Sequence, residues 1–246
     1  MAAAYSLAMS GCKVTLLESG PRLGGLAGSF HRDGHVFPLG YHHILDRDRP
    51  LLYFLDAIGV LDSVRWRRIH MLFRTGGRSY DLSRASEFLR FPMDLADKAR
   101  FARLMLRAFR KRDWTDWNGR SAEELADQWA APGVRRTLFE PLTRIKFGLS
   151  CAEVSGAWLG ARLHYREGTA PLGYIPGANW TEVLCEGLAG RLRSIGVHVV
   201  TDAPVALLRR DEGSIREVQT ASGDWVGGDH FVSTMPTEIL TTLLPE

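Results

Sequence analysis

The chain has 246 residues, of which 45% are hydrophobic and 24% charged, proportions that fit one large or two smaller soluble globular domains with a substantial core. Its three cysteines, Cys12, Cys151 and Cys185, lie far apart and form no C-x-x-C, which argues against a disulfide framework or a zinc site and for a reducing compartment. The net charge of +3 conceals an imbalance: residues 63–112 hold fourteen Lys or Arg against four Asp or Glu, an excess that suits an anionic ligand or surface but equally solvated helix faces.

No RNA-binding or C2H2 pattern accompanies the basic stretch, so no nucleic-acid partner is expected. No apolar run approaches the ~18 residues of a membrane span. The apolar Met1–Met9 segment is short for a signal core and has no basic leader, so a cytoplasmic location is expected.

In chain order, Met1–Ser10 is rich in Ala and Leu and reads as a helix, with Gly11 placed to end it. Lys13–Glu18 follows as an apolar run closed by a carboxylate. That pattern fits the second strand of a dinucleotide-binding βαβ unit, where the acid accepts hydrogen bonds from ribose hydroxyls. A helix that feeds a parallel strand needs a strand before it. Here the helix opens the sequence, so the sheet's first strand and its glycine-rich turn are expected to be missing.

Ser29–His31 and His35–Pro38 flank Arg32-Asp33-Gly34 and read as a hairpin. Leu51–Ile58 reads as a short helix closed by Gly59. Arg68–Arg74 and Arg78–Leu82 make a second hairpin around Thr75-Gly76-Gly77. From Ser83 to Arg166 the pattern is helical. Leu95, Ala99, Ala102, Leu106 and Phe109 share one helix face, beside a stripe of Arg100, Arg103, Arg107 and Arg110. Ser121–Glu124 and Ser150–Glu153 both read as capping boxes that start helices. Trp114 and Trp117 read as core, with a substrate cavity or a membrane surface as alternatives. Then come a helix at Trp180–Ile195, strands at Val197–Val200, Val205–Arg209, Ile215–Thr220 and Phe231–Ser233, and a last helix from Thr237.

No G-x-S-x-G, H-E-x-x-H or Walker A sequence is present, and no metal site is expected. His42 and His43 are the weak catalytic candidates. Neighbours on an extended chain point opposite ways, so one can face a reaction centre as a proton relay while the pair does not chelate one metal.

Four segments carry a resemblance. AAAYSLAMSGCKVTLLESGPRLGGLAGSF, FPLGYHHI, LGYIPGANWTEVLCEGLAGRLRSIGVHVVTDAPVALL and FVSTMP resemble, in order, segments of the flavin-containing amine oxidase superfamily, which includes protoporphyrinogen oxidases and phytoene desaturases. The resemblance implies an α/β fold: an FAD/NAD(P)-binding Rossmann-like domain from residues 1–45 and 171–246, with an inserted, mainly helical substrate domain over 46–170. It implies FAD as cofactor, with Glu18 on the adenosine ribose and Arg22, Gly24 and Gly25 along the pyrophosphate and ribityl chain. Gly40 and Tyr41 would lie near the flavin ring, and Val205 would meet the adenine through its backbone.

The expected reaction is hydride transfer from a C–C or C–N bond of a small, anionic or lipophilic substrate to flavin, with peripheral membrane contact as an option. Pro38 and Ala178 depart from the family pattern, and the family's phosphate-binding G-x-G-x-x-G is not in the sequence. The chain is therefore expected to be truncated at both ends and to bind FAD weakly by itself. The alternatives are a flavin-dependent mutase of UDP-sugars, with the arginines holding a diphosphate, and a non-catalytic fragment.

Overall fold

A computed structural model of the chain describes residues 1–40, 42–68, 70, 72–82, 84–165 and 171–244. It divides into two compact units, one built from residues 1–66 and 173–246, the other from residues 67–172.

The first unit uses one construction twice. The Ala2–Met9 helix turns at Gly11 (φ +86°) into the Thr15–Leu17 strand, and the Trp180–Ser194 helix turns at Gly196 (φ +86°) into His198–Val200. Both glycines hold a left-handed conformation that costs other residues about 1–2 kcal/mol. The two strands lie parallel, with Thr15 opposite His198 and Leu17 opposite Val200. Ala4, Tyr5, Leu192 and Val197 are buried together, and Leu16, Val199 and Phe54 pack against them. Each helix thus covers the strand that it feeds.

The Ser29–Arg32 and His35–Pro38 hairpin closes through Asp33 (φ +51°) and Gly34 (φ +75°), a two-residue turn whose twist matches its strands. The helix after it runs over Arg49–Ala57. Asp48 caps it by accepting from the Leu51 N–H, and Pro50 occupies its first turn. Its buried Leu55 joins Ile44 and Val64 in a second core. Gly173 fits between the latter two, where a Cβ would come within 2.9 Å of both side chains. Val205–Asp211, Ser214–Thr220 and Trp225–Gly227 form an antiparallel meander, and Thr237–Leu243 is helical. The strand expected at Phe231–Ser233 does not form. Trp225–Gly227 takes the third place in the meander, and among the described residues no strand pairs with 231–233.

The second unit opens with the Leu72–Thr75 and Arg78–Asp81 hairpin, turned by Gly76 and Gly77 at φ +56° and +78°. Arg68, expected in this hairpin, instead ends a separate strand, Arg65–Arg68. The remainder is helical. Tyr80, Phe91, Leu104, Trp117, Leu125, Leu138, Phe139 and Leu159 form its core. Trp117 is buried and Trp114 half-buried, their rings edge to face at 5.2 Å, so the pair packs inside the unit.

Ser121 caps Ala122–Trp129, its Oγ accepting from the Glu124 N–H at 3.1 Å. Ser150 starts no helix. Glu153 accepts from its N–H and its hydroxyl, but residues 151–153 form a turn and the next helix begins at Gly156. A helical run over 132–147 widens to a π-type turn at Arg135–Phe139, just ahead of Pro141, which has no N–H to donate back into it.

The Leu95–Arg110 helix packs through the side opposite the face that Leu95, Ala99, Ala102, Leu106 and Phe109 share. Leu104 and Ala108 are buried and Phe101 is half-buried, whereas Leu95, Ala99, Ala102, Leu106 and Phe109 are all exposed. Lys98 is buried on the inner side, and its Nζ donates to the Leu89 carbonyl at 2.7 Å.

Candidate functional site

The two parallel strands end side by side, and their hydrogen bonding continues past the ends. Glu18 N–H donates to the Val200 carbonyl, Ala203 N–H to the Glu18 carbonyl, and Asp202 N–H to the Gly20 carbonyl. In open α/β sheets ligands bind outside the carboxyl ends of the strands. Here a cavity of about 470 Å³ lies at those ends. Pro21, Arg22, Leu23 and Thr201 form one wall, and Glu182, Cys185, Glu186, Ala189 and Arg193 of the Trp180–Ser194 helix form the other. His31 completes the lining.

The helix residues were not singled out from the sequence, although a signal for them exists. They stand at i, i+3, i+4, i+7 and i+11, one face of a helix. That face is mixed in charge, which hides it from any search for an apolar stripe.

Glu18 is half-buried at its strand end. Its Oε1 accepts from the Gly20 N–H at 2.9 Å and from the Ser19 hydroxyl at 3.2 Å, which fixes the carboxylate against the turn. Arg22 is exposed on the cavity wall. Gly24 has φ +139°, and a Cβ there would meet Cys185 Sγ at 3.0 Å and Gly28 Cα at 3.2 Å. Its lack of a side chain is thus demanded by the protein's own packing. Gly25 (φ +51°) differs, with nothing within 4 Å of a built Cβ. Val205 begins its strand opposite Thr220, two residues past the Ala203 N–H that bonds Glu18. Glu18, Arg22 and the approach to Val205 therefore meet at one end of the parallel pair.

A larger cavity of about 880 Å³ is lined by the hairpin residues 34–38, by His42 and by residues 174–175 and 177–182. His42 donates from Nε2 to the Leu26 carbonyl at 2.9 Å and sets its ring edge-on to Trp180. That bond leaves Nδ1 as the acceptor of the neutral ring. Gly40 is small because His42 is beside it, a Cβ there falling 2.9 Å from Nε2. His43 is half-buried. Tyr41 lies outside the described residues. Glu182 lines both cavities, and its Oε1 is 3.1 Å from His31 Nε2 and 3.5 Å from the Ser29 hydroxyl.

Asn179 caps the Trp180–Ser194 helix. Its Oδ1 accepts from the Thr181 N–H and hydroxyl, so the amide orientation follows from its partners, and Nδ2 is buried with no partner. An unmet buried donor costs about 1–3 kcal/mol, and this one belongs to a residue of the larger cavity's wall. Arg22 and Arg193 are the cations of the smaller cavity's lining, which Glu182 and Glu186 share. Burial, reinforced by the neighbouring Glu186 carboxylate, pushes the Cys185 thiol up, so it stands against Gly24 as a neutral group. Among the described residues no group of three or more His, Cys, Asp or Glu is placed to hold a metal ion.

The family described as flavin containing amine oxidoreductase matches residues 1–246. The chain is 23% identical over 277 aligned positions to 15-cis-phytoene desaturase of Arabidopsis thaliana, covering 100% of this chain and 47% of that protein. Wild-type putrescine oxidase with putrescine bound superposes with a TM-score of 0.71 at 16% identity, over 99% of this chain and 57% of the other. A CLA-producing fatty acid isomerase from P. acnes gives 0.72 at 17%, over 98% and 57%. A protein described as a protoporphyrinogen oxidase, from an Exiguobacterium species, gives 0.63 at 20%, over 100% and 58%. These likenesses show a shared α/β fold, and the chain spans about half the length of the curated relative that it matches.

Proposed function

We propose, since this chain belongs to the flavin-containing amine oxidoreductase family, that it holds FAD at the carboxyl ends of its parallel strands and serves an oxidoreductase acting on a C–C or C–N bond of a small molecule. The observation that carries the reading is the cavity at the carboxyl ends of the two strands, lined by Arg22, Thr201 and Arg193 together with Glu182 and Glu186, beside the strand end that Glu18 occupies. In this reading the 1–66 and 173–246 unit is a Rossmann-like cofactor domain, and the mainly helical 67–172 unit is the substrate domain. The Arabidopsis relative is named for a desaturase of phytoene, which supports a lipophilic substrate. The match does not favour the nucleotide-sugar mutase alternative.

In this reading each residue has a task. Glu18 spends Oε1 on its own turn, which presents Oε2 to the ribose hydroxyls at fixed geometry. Arg22 and Arg193 offset pyrophosphate charge, Arg22 with a forked pair of donors. Gly25, open where a side chain would project, admits the cofactor close to the backbone. His42, oriented by the Leu26 carbonyl, presents Nδ1 as the atom able to take a proton. FAD, when bound, supplies the electron chemistry by accepting a hydride on its ring.

Titration of the chain with FAD, followed by quenching of flavin fluorescence, tests the assignment. Arg22→Ala and Glu18→Ala are each expected to weaken binding about tenfold or more, the value of one charge-assisted contact. Wild-type affinity in both variants would place the cofactor elsewhere.

A further inference from the structure

The Leu95–Arg110 helix carries an exposed apolar stripe on the side away from its core contacts. Its inner side is spent on the helical core through Leu104 and Ala108, 1% and 0% exposed. On the outer side Leu95 is 77% exposed, and Leu106 and Phe109 are each 49% exposed. At roughly 100° per residue these three fall within a sector of about 60° and run the length of the helix. The exposed Ala99 and Ala102 fill the intervals, so the stripe is continuous and not a scatter of single residues.

One flank of the stripe is cationic. Arg103 and Arg110 lie about 60–80° from its centre and are exposed. Arg103 makes a 3.4 Å bond to the Trp129 carbonyl, and Arg107, further round, lies over the Trp129 ring at 3.6 Å. The surrounding segment, residues 63–112, is the most basic part of the chain. We propose that this face lies in the headgroup layer of an anionic lipid bilayer, with the helix parallel to the membrane plane. Leu95, Leu106 and Phe109 enter the acyl boundary, and Arg103 and Arg110 meet lipid phosphates.

Charge complementarity selects this occupant. A bilayer with anionic headgroups offers negative charge and apolar depth along one continuous surface, in the order that the stripe and its flank require. The helix has 16 residues, four of them arginines, and no described helix is long and apolar enough to cross a membrane. It rests on the bilayer. Phe109 stacks on His164 with ring centroids 6.2 Å apart, which presents it from a rigid base. The assignment does not depend on FAD binding.

Sedimentation with vesicles tests it, using equimolar phosphatidylglycerol and phosphatidylcholine against phosphatidylcholine alone. The protein is expected to sediment with the anionic vesicles only and to leave them at about 0.5 M NaCl, where screening reaches a few ångströms. Arg103→Gln with Arg110→Gln should lower the partition coefficient about fivefold for each arginine removed. Leu95→Glu with Leu106→Glu should lower it on the order of tenfold or more, with circular dichroism confirming a folded chain. The arginine and salt arms decide the matter even if the leucine variant misfolds. No binding to anionic vesicles, equal binding to neutral ones, or unchanged binding by the arginine variant would overturn the proposal. So would a lipid-free dimer that Leu106→Glu converts to monomer in analytical ultracentrifugation, since the stripe would then be a contact between copies.

Discussion

Gly24 rests on the sulfur of Cys185, where an added Cβ would come within 3.0 Å of Sγ and 3.2 Å of Gly28 Cα. The contact ties the loop after the first parallel strand to the helix that feeds the second, 161 positions along the chain. The Cys185 thiol also donates to the Ala27 carbonyl at 3.6 Å, which closes the loop over the helix. The cavity wall that carries Arg22 is therefore held by a packing interaction between two small groups.

Replacing Gly24 should destabilise the fold through backbone and packing together. At φ +139° an alanine is strained before any contact is considered. The Gly28 backbone cannot retreat as a flexible side chain can. Gly24→Ala is expected to cost about 2 kcal/mol or more, whereas Gly25→Ala, at φ +51° with open space around it, should cost about 1 kcal/mol. Adding Cys185→Ala to Gly24→Ala should recover part of the loss and never all of it. Urea denaturation of the four chains measures the difference.

Two further glycines should respond with opposite signs. A Cβ on Gly160 would stand 2.5 Å from Trp117 Cε3 and closer still to the Cζ3 atoms of Trp114 and Trp117. Gly160→Ala therefore overpacks the helical core and should cost about 1–3 kcal/mol. Gly190 is exposed inside the Trp180–Ser194 helix with nothing within 4 Å of a Cβ. Gly190→Ala should stabilise by about 0.5–1 kcal/mol, because alanine gives up less backbone entropy in a helix. Thermal unfolding of both variants would show the contrast, and a destabilised Gly190→Ala would contradict it.

Cys151 gives the fold an alkaline limit. Burial pushes its thiol up to about 11 from an ordinary 9.0, and the Glu140 carboxylate, which accepts from the Cys151 N–H at 3.1 Å, opposes a thiolate there. The native state keeps the proton to a higher pH than the unfolded chain, so the contribution is fully present below pH 9 and is lost as pH rises towards 11. Stability should fall on the order of 2–3 kcal/mol across that window. Cys151→Ala should be less stable at neutral pH, from the lost packing, yet lack this increment. The difference in unfolding free energy between the two chains at pH 7.5 and pH 10.5 reads it directly.

Much of the fold was legible because local chemistry decides it. The Asp33-Gly34 and Gly76-Gly77 turns, Gly11 and Gly196 after their helices, and Ser121 as a cap follow from the conformations that these residue types favour. Ser150 shows the limit of such reasoning. Glu153 accepts from the Ser150 backbone N–H and hydroxyl, but the Glu153 N–H goes to the Ser150 carbonyl and not to Oγ, so the capping box is half made and the backbone turns away. Phe231–Ser233 shows another limit, because a strand needs a partner that its own sequence does not name.

By itself the sequence determined the alternation of helix and strand, the positions of the turns, and an acidic strand end followed by an arginine and paired glycines. Those features depend on φ preference, side-chain period and hydrogen bonds across a few residues. Only the tertiary structure decided which face of the Leu95–Arg110 helix is buried, since both sides are apolar and the sign of the choice lies in what packs against them. It also decided that Gly24 answers to Cys185, and that Glu182 and Arg193 stand across a cavity from Arg22. These are relations between residues remote along the chain, and they come into being when the two parallel strands pair.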